Sequence, residues 1–248
     1  MNYLENKKIV QSNSLVRQTN WKLNKTSLKL FKACIASIDT SNPPKDNTVI
    51  VHKSDLIQLL ELDKKQNYVY LKEQLRSLIT SVKIEEDEKH EIFVALVNKI
   101  EWKKDSDIVK VRFDEAVMPY LIDLHERFLE YPADVIPQFD SKYGLIIYES
   151  LLSNWKQYAD SNEFIYDIDT IRYITGTEKK YSDFRNFEKR VLISAVEDIN
   201  HMQGEFLVKY EKIRHGRSIE KVKFILVKRT SWKQKDYDSA ALALAHEK

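Results

Sequence analysis

The feature that most constrains the fold of this chain is an order of helices and strands that occurs twice. Residues 23–38 carry apolar side chains at helical spacing, and residues 138–158 form a second long amphipathic stretch. Each is followed by a short strand (TVIVH and EFIYDI), a helix, a tight polar turn and another helix. The copies are offset by about 115 residues. This repetition predicts two units built to one plan.

A pair of strands closes each copy. In the first copy EIFVALVNKIEW and DIVKVRF flank the turn KKDSD, and in the second EFLVKYEKI and EKVKFILVKR flank RHGR. Helix, strand, helix, turn, helix and hairpin, in that order, make a winged helix. The sequence therefore predicts an α+β, mainly helical chain with two tandem winged-helix domains, each a helix-turn-helix plus a β-hairpin. A length of 248 residues suits two domains of ordinary size.

The last helix of each helix-turn-helix is predicted from its capping residue. Asn67 caps the first, and its inward face would carry Tyr68, Leu71, Leu75, Leu78, Ile79 and Val82. Ser182 caps the second, which runs from about Asp183 to His201, and its inward face would carry Phe184, Phe187, Val191, Ala195 and Ile199. The segment FDEAVMPYLIDL looks helical and would close the first unit.

Two prolines in YPADVIP mark the joint between the units. We expect an N-terminal domain at residues 1–131, a C-terminal domain at residues 132–234 and a flexible tail at residues 235–248.

Signatures of enzymes, metals and cofactors are missing from the sequence. The six histidines are scattered without ligand spacing, and the four glycines form neither a Walker A sequence nor a dinucleotide loop. The single cysteine, Cys34, lies in an apolar run, so a buried thiol is expected. Without an apolar run of about 18 residues or a signal peptide, the chain is expected to be cytoplasmic and to have no membrane partner. We expect no catalytic residue, no metal and no cofactor.

The distribution of charge indicates a polyanionic partner. The net charge is only +2, but residues 179–233 contain 14 Lys or Arg against 7 Asp or Glu. The helix after Ser182 would present Asn186, Lys189 and Arg190 outward, which suits adenine and guanine edges in a major groove. The alternative is a solvated basic face. Arg214 and Arg217 at the hairpin tip favour DNA, because a wing meets phosphates or the minor groove.

The first unit has a weaker DNA-binding pattern. Glu73 lies near the centre of the outward face of its second helix, with Lys72 and Arg76 beside it. Lys64, Lys65 and Asn67, in the turn and cap, are better placed to meet the DNA backbone. Plain solubilising charge is the alternative interpretation here.

Several segments, in this order, resemble the initiator Rep proteins of iteron-containing theta-replicating plasmids, the RepB and RepE type. They are IVQSNSLV, LNKTSLKLFKACI, VRFDEAVMPYLIDL, FDSKYGLIIYESL, SDFRNFEKRVLISAVEDIN and KYEKIRHGRSIEKVKFIL. The resemblance implies a protein that binds origin repeats in double-stranded DNA to start replication. It also implies a dimer, formed through the N-terminal domain, that represses its own gene, and host initiator and helicase proteins as partners.

The resemblance also implies DNA-contacting positions. In the second domain they are Ser182, Asp183, Arg185, Asn186, Lys189 and Arg190 in the helix, and Arg214 and Arg217 in the wing. In the first domain they are Lys64, Lys65, Asn67, Tyr68 and Lys72. The acidic Glu73 departs from what a base-reading helix would offer.

Two other functions compete with this interpretation. A winged-helix transcriptional regulator would bind DNA without initiating replication, but it usually has one reading domain. A replication nickase would need metal-binding histidines beside a tyrosine, so it is disfavoured.

Overall fold

The computed structural model describes residues 4–62, 67–87, 90–122, 124, 127–158 and 160–229. The chain divides into two compact units, Met1–Pro137 and Gln138–Lys248. The predicted boundary between residues 131 and 132 stays a prediction. The predicted tail at residues 235–248 lies outside the described residues.

The first unit contains four α-helices and seven strands among its described residues. The helices are α1 (Asn13–Arg17), α2 (Lys25–Ile35), α3 (Lys53–Leu59) and α4 (Tyr68–Arg76). The strands are β1 (Lys8–Ser12), β2 (Thr48–His52), β3 (Ser81–Asp87), β4 (His90–Ala95), β5 (Val97–Trp102), β6 (Ile108–Phe113) and β7 (Phe128–Pro132). Strands β2, β6 and β5 form an antiparallel sheet in that order, and β1 pairs with β7.

Helix α2 forms the centre of the first core. The Asn24 side chain caps it by accepting a hydrogen bond from the Ser27 amide at 2.9 Å. Phe31 is fully buried, and its ring lies 5.9 Å from that of Trp21 and 6.0 Å from that of Phe113 in β6. These contacts pack α2 against β6 of the three-stranded sheet.

The predicted strand EIFVALVNKIEW is wrong as one element. It divides at Leu96 into β4, which pairs with β3, and β5, which pairs with β6. Helix α4 ends at Arg76, and Val82, which is predicted to lie in this helix, belongs to β3. Tyr68 and Ile79 are predicted to face inward, but both are exposed. Val82 follows Leu75 and Leu78 at spacings that also fit a helix, so periodicity alone could not separate the two structures.

The predicted helix in FDEAVMPYLIDL is also wrong. In its place are turns and a short 3-10 helix over Met118–Tyr120. Pro119 explains the difference, since it has no amide hydrogen and its ring clashes with the preceding turn of an α-helix.

The second unit repeats the plan of the first. Its described elements are α5 (Lys142–Gln157), β8 (Glu163–Asp167), α6 (Ile168–Thr175), α7 (Phe184–Phe187), a π-helical segment (Glu188–Ile193), α8 (Ser194–His201), β9 (Phe206–His215) and β10 (Ser218–Lys228). The sheet order is β8, β10, β9. As in β2, β6, β5, the last strand lies between the other two. Two tandem winged-helix domains are thereby confirmed.

Helix α5 holds α8 through a buried carboxylate. Asp198 accepts hydrogen bonds from the Ser141 amide and hydroxyl, both at 2.8 Å, and the Ser141 hydroxyl caps α5 by accepting from the Gly144 amide. A Cβ atom on Gly144 would lie 2.3 Å from the Asp198 carboxylate, so glycine permits this close approach. Burial raises the pKa of Asp198, and the Ser141 hydrogen bonds oppose that shift.

Within the described residues, the helices all lack the combination of length and apolar character that a membrane crossing needs.

Candidate nucleic-acid interface

Helix α7, the π-helical segment and α8 run without interruption over residues 184–201, which we call helix 184–201. Its cap is Asp183, whose carboxylate accepts from the Asn186 amide at 3.0 Å, and not the predicted Ser182, which is exposed. Ser and Asp are both favoured at the N-cap, so the sequence alone does not decide which of the two residues begins the helix.

The inward face of helix 184–201 is close to the predicted one. Phe187, Val191, Ala195 and Ile199 are fully buried, whereas Phe184 is partly exposed. Leu192 is buried as well. Val191 and Leu192 both lie in the π-helical segment, and a 3.6-residue period also allows two consecutive residues to face inward.

The outward face of helix 184–201 is polar and basic. The exposed side chains of helix 184–201 are Arg185, Asn186, Lys189, Arg190, Ile193, Glu197 and His201, so the first half of the outward face carries the cations and Glu197 lies further along it. This face therefore brings together four of the predicted helix residues, with Ser182 and Asp183 directly before them.

The turn before helix 184–201 is fixed by a residue that sequence reasoning missed. Arg172 in α6 donates hydrogen bonds to the carbonyls of Lys180, at 2.8 Å, and Tyr181, at 2.9 Å. Its guanidinium lies 4.2 Å from the centre of the Phe187 ring. Tyr181 adopts a left-handed backbone conformation with φ of 52°, which costs free energy in a residue with a side chain. Arg172 thus holds the turn in a conformation that the turn alone would disfavour.

The wing is the hairpin of β9 and β10. Gly216 has φ of 60° at its tip, which glycine adopts without strain, and Arg214 and Arg217 are exposed on either side. His215 contacts Glu220, with 2.9 Å between its Nδ1 and the carboxylate oxygen.

The wing and helix 184–201 meet at Glu188. This carboxylate accepts from the Tyr210 hydroxyl at 2.8 Å and pairs with Lys212 at 2.9 Å, both in β9. Because side chains alternate along a strand, Arg214 lies on the same side of β9 as Tyr210 and Lys212. Arg214 at the tip of the wing therefore lies on the side of β9 that contacts helix 184–201.

Some cations of the second unit lie in ion pairs and others do not. Lys212, Lys221 and Lys223 pair with Glu188, Asp167 and Glu211 at 2.9, 3.2 and 2.8 Å. Other exposed cations have no ion pair with any described residue, and they include Arg185, Lys189 and Arg190 on helix 184–201 and Arg214 and Arg217 at the tip of the wing. Five exposed cations without internal counter-ions on one helix face and one wing suit a polyanion.

The corresponding helix of the first unit has a different outward face. In α4, Glu73 and Arg76 pair with each other at 3.0 Å, and Lys72 is exposed. The Tyr70 hydroxyl lies 3.0 Å from that of Thr26, so it faces α2. Glu73 thus neutralises the arginine beside it.

The other predicted first-unit positions lie at the start of α4 or before it. Asn67 occupies the cap position without a capping side-chain hydrogen bond, and Lys64 and Lys65 lie outside the described residues. Tyr68 is exposed and packs edge-on against Trp102, with ring centres 6.2 Å apart.

The β5–β6 loop of the first unit is tied to α3. The buried Lys53 ammonium donates to the carbonyls of Lys103 and Ser106 and lies 4.4 Å from the Trp102 ring. The Asp107 carboxylate accepts from the Ser54 amide and hydroxyl at 3.0 and 2.6 Å. Burial opposes ionisation of Asp107, but the two Ser54 hydrogen bonds outweigh it and lower the pKa of this carboxyl.

Within the described residues, no group of three or more His, Cys, Asp or Glu side chains is arranged to hold a metal ion. Cys34 is buried, and burial raises the pKa of its thiol to about 12. Its thiolate is therefore scarce at neutral pH.

Fold and surface together define the class as a tandem winged-helix protein with a basic helix and wing in its second unit. Residues 8–152 match the family model described as "Initiator Replication protein, WH1", and residues 167–226 match "Initiator Rep protein, WH2". The chain belongs to this initiator replication protein family.

Two relatives illustrate the similarity. A replication initiation protein of Escherichia coli is 26% identical over 201 residues, which cover 77% of this chain and 61% of the relative, so the chain spans only part of that relative's length. A crystal structure of the Pi initiator protein in complex with iteron DNA superposes with a TM-score of 0.74 at 21% identity, covering 91% of this chain and 98% of that one. At that identity the likeness concerns the fold.

Proposed function

We propose that this protein binds direct repeats in double-stranded DNA at a plasmid origin and thereby starts theta replication. The observation that carries the proposal is the set of five exposed cations, on helix 184–201 and at the tip of its wing, that have no ion pair with the part of the chain that the structure describes. Family membership and the fold shared with the Pi initiator protein support it.

In this proposal the second unit reads the sequence. Helix 184–201 enters the major groove, where Arg190 pairs with a guanine edge and Asn186 with an adenine edge. Arg185 and Lys189 lie on the same face, and Ser182 and Asp183 meet the backbone at the start of the helix. Asp183 acts there through the amides it caps, because its carboxylate faces the Asn186 amide. Arg214 and Arg217 contact phosphates or the minor groove.

The first unit contacts mainly the DNA backbone in this proposal. Lys72, Tyr68 and Asn67 lie along the start and outward face of α4. Lys64 and Lys65, which precede Asn67 in the sequence, join them as backbone contacts in this proposal. The Glu73–Arg76 pair favours backbone contact over base reading, since Arg76 would have to leave this ion pair to meet a guanine.

We also propose that the first unit forms a dimer that represses the initiator's own gene. Support comes from the two-stranded sheet of β3 and β4, where Phe93 is 68% exposed. Analytical ultracentrifugation of the full chain tests this. We expect a dimer that Phe93→Ala weakens, whereas a dimer insensitive to Phe93→Ala but lost in a wing variant would assign self-association to the second unit.

The proposal also covers catalysis, cellular location and host partners. The protein acts in the cytoplasm without catalysing a reaction, and host initiator and helicase proteins assemble on the bound origin. Magnesium-dependent nicking that persists through purification to homogeneity would contradict the non-enzymatic part.

The proposal is tested by binding purified protein to duplexes taken from the DNA beside its gene. We expect tandem direct repeats there, spaced by about two helical turns, and a strong preference for them over scrambled duplexes of the same composition. Affinity should fall steeply with salt, since each phosphate contact contributes a log–log slope of about −0.9. Equal affinity for repeats and scrambled DNA would contradict the proposal. Repeat binding without a requirement for the protein in plasmid replication would favour a transcriptional regulator.

A further inference from the structure

A second group of basic and hydroxyl side chains lies beside the start of helix 184–201. Lys142 and Tyr143 begin α5, and Lys180 and Tyr181 lie in the turn that follows α6. We call these four residues the turn cluster. None of them belongs to the helix face or the wing described above.

The geometry of the turn cluster joins two elements that are distant in sequence. The Tyr143 and Tyr181 hydroxyl oxygens lie 3.5 Å apart, and the Lys142 ammonium lies 5.5 Å from the centre of the Tyr143 ring. Arg172 holds the carbonyls of Lys180 and Tyr181, so the backbone of the turn is fixed before any ligand arrives. A prearranged site loses little conformational entropy on binding.

The charges of the cluster favour an anion. Burial and the neighbouring Lys180 ammonium lower the pKa of Lys142 to about 8, and Glu178 compensates only in part. Burial, together with the hydrogen bond to Tyr181, raises the pKa of Tyr143, which keeps its hydroxyl neutral. Lys142 and Lys180 repel each other, so an added anion near both would favour the charged form of Lys142.

We infer that the turn cluster binds a phosphate of the DNA backbone beside the base pairs that helix 184–201 reads. This inference rests on the proposed function. The first residues of a recognition helix contact base edges, so the turn before them lies at the wall of the groove, where phosphates run. Lys142 and Lys180 supply the charge and Tyr143 or Tyr181 a hydroxyl donor. The contact would fix the register of the helix along the groove.

The test uses the full chain with Lys142→Met, which keeps the length of the side chain and removes its charge. The control is Lys156→Met in the same helix, because Lys156 pairs with Glu205 at 3.2 Å. Binding is titrated at several salt concentrations on two 30-base-pair duplexes, one from the DNA beside the gene and one of random sequence. Lys142→Met should weaken binding to both equally and lower the salt slope by about one unit, while the control leaves the slope unchanged.

Thermal unfolding supplies the second readout. Lys142→Met should not lower the melting temperature, because it removes a charge that burial and Lys180 disfavour in the folded state. Should this variant fail to fold, Lys180→Met at an exposed position gives the same test with the same expected slope.

The outcomes separate this inference from the proposed function. An unchanged salt slope in folded Lys142→Met and Lys180→Met, with normal binding by the unaltered protein, would overturn the phosphate site alone. A loss restricted to the duplex from beside the gene would also overturn it, because a phosphate contact carries no base preference. Absence of duplex binding by the unaltered protein would remove the proposed function as well.

Discussion

The two helix-turn-helix units of this chain share a scaffold and differ in where one acidic residue points. In α4 the carboxylate of Glu73 pairs with Arg76 on the outward face. In helix 184–201 the carboxylate of Glu188 pairs with Lys212 of the wing, and the outward arginines have no ion pair with any described residue. On the same topology, the outward face of α4 therefore carries a paired cation, whereas the outward face of helix 184–201 carries cations with no ion pair among the described residues.

The surroundings of the two helices differ as well. The first unit inserts the β3–β4 hairpin between α4 and the β5–β6 wing, whereas helix 184–201 is followed directly by β9 and β10. The inserted hairpin gives the first unit an additional two-stranded sheet, on which Phe93 is exposed. This difference agrees with the proposal that the first unit forms a dimer and the second reads DNA.

The largest effect is expected from Arg190→Ala. Loss of a pairing with guanine should cost about 1–3 kcal/mol on the duplex from beside the gene and relax preference at one base pair. Fluorescence anisotropy measures it, with Lys221→Ala as control because Lys221 pairs with Asp167. Equal losses in the two variants would mean that charge alone decides binding.

A smaller, non-specific effect is expected from Arg217→Ala at the wing tip. It should weaken binding to repeat and random duplexes by the same factor and lower the salt slope by about one unit. Salt titration of both duplexes measures it. Arg217→Lys keeps the charge and should keep the slope, and a loss of base preference in Arg217→Ala would place the wing among the sequence-reading elements.

The smallest effect is expected from Glu73→Gln in the first unit. Releasing Arg76 from its exposed ion pair should strengthen binding to both duplexes by up to about 1 kcal/mol and leave folding stability nearly unchanged. Glu115→Gln makes the same charge change at another exposed site and serves as control. An identical gain in both variants would show that the net charge of the protein, and not the position of Glu73, limits its affinity for DNA.

Much of the second unit could be predicted from the sequence because its signals are local. Phe187, Val191, Ala195 and Ile199 follow one helical stripe and are all buried. Gly176 ends α6 with φ of 64°, as a glycine at a helix end commonly does. The repeated order of elements then determined the fold without any knowledge of long-range contacts.

The features that escaped prediction depend on tertiary contacts or on ambiguous spacing. The Arg172 clamp joins α6 to carbonyls eight and nine residues later, and an arginine in an amphipathic helix gives no sign of this. The β3 strand was hidden because Val82 continues the spacing of Leu75 and Leu78. The turn cluster depends on α5 and the α6–α7 turn meeting in space, so no sequence motif marks it.

The central claim is that the second unit reads bases while the first contacts the backbone. The most direct test compares Arg190→Ala with Lys72→Ala, each removing one exposed cation that has no ion pair with a described residue. The quantity measured is the ratio of affinities for repeat and scrambled duplexes at one salt concentration. The account predicts that this ratio falls by roughly 5- to 150-fold in Arg190→Ala and stays unchanged in Lys72→Ala. A ratio that collapses in Lys72→Ala and survives in Arg190→Ala would contradict it.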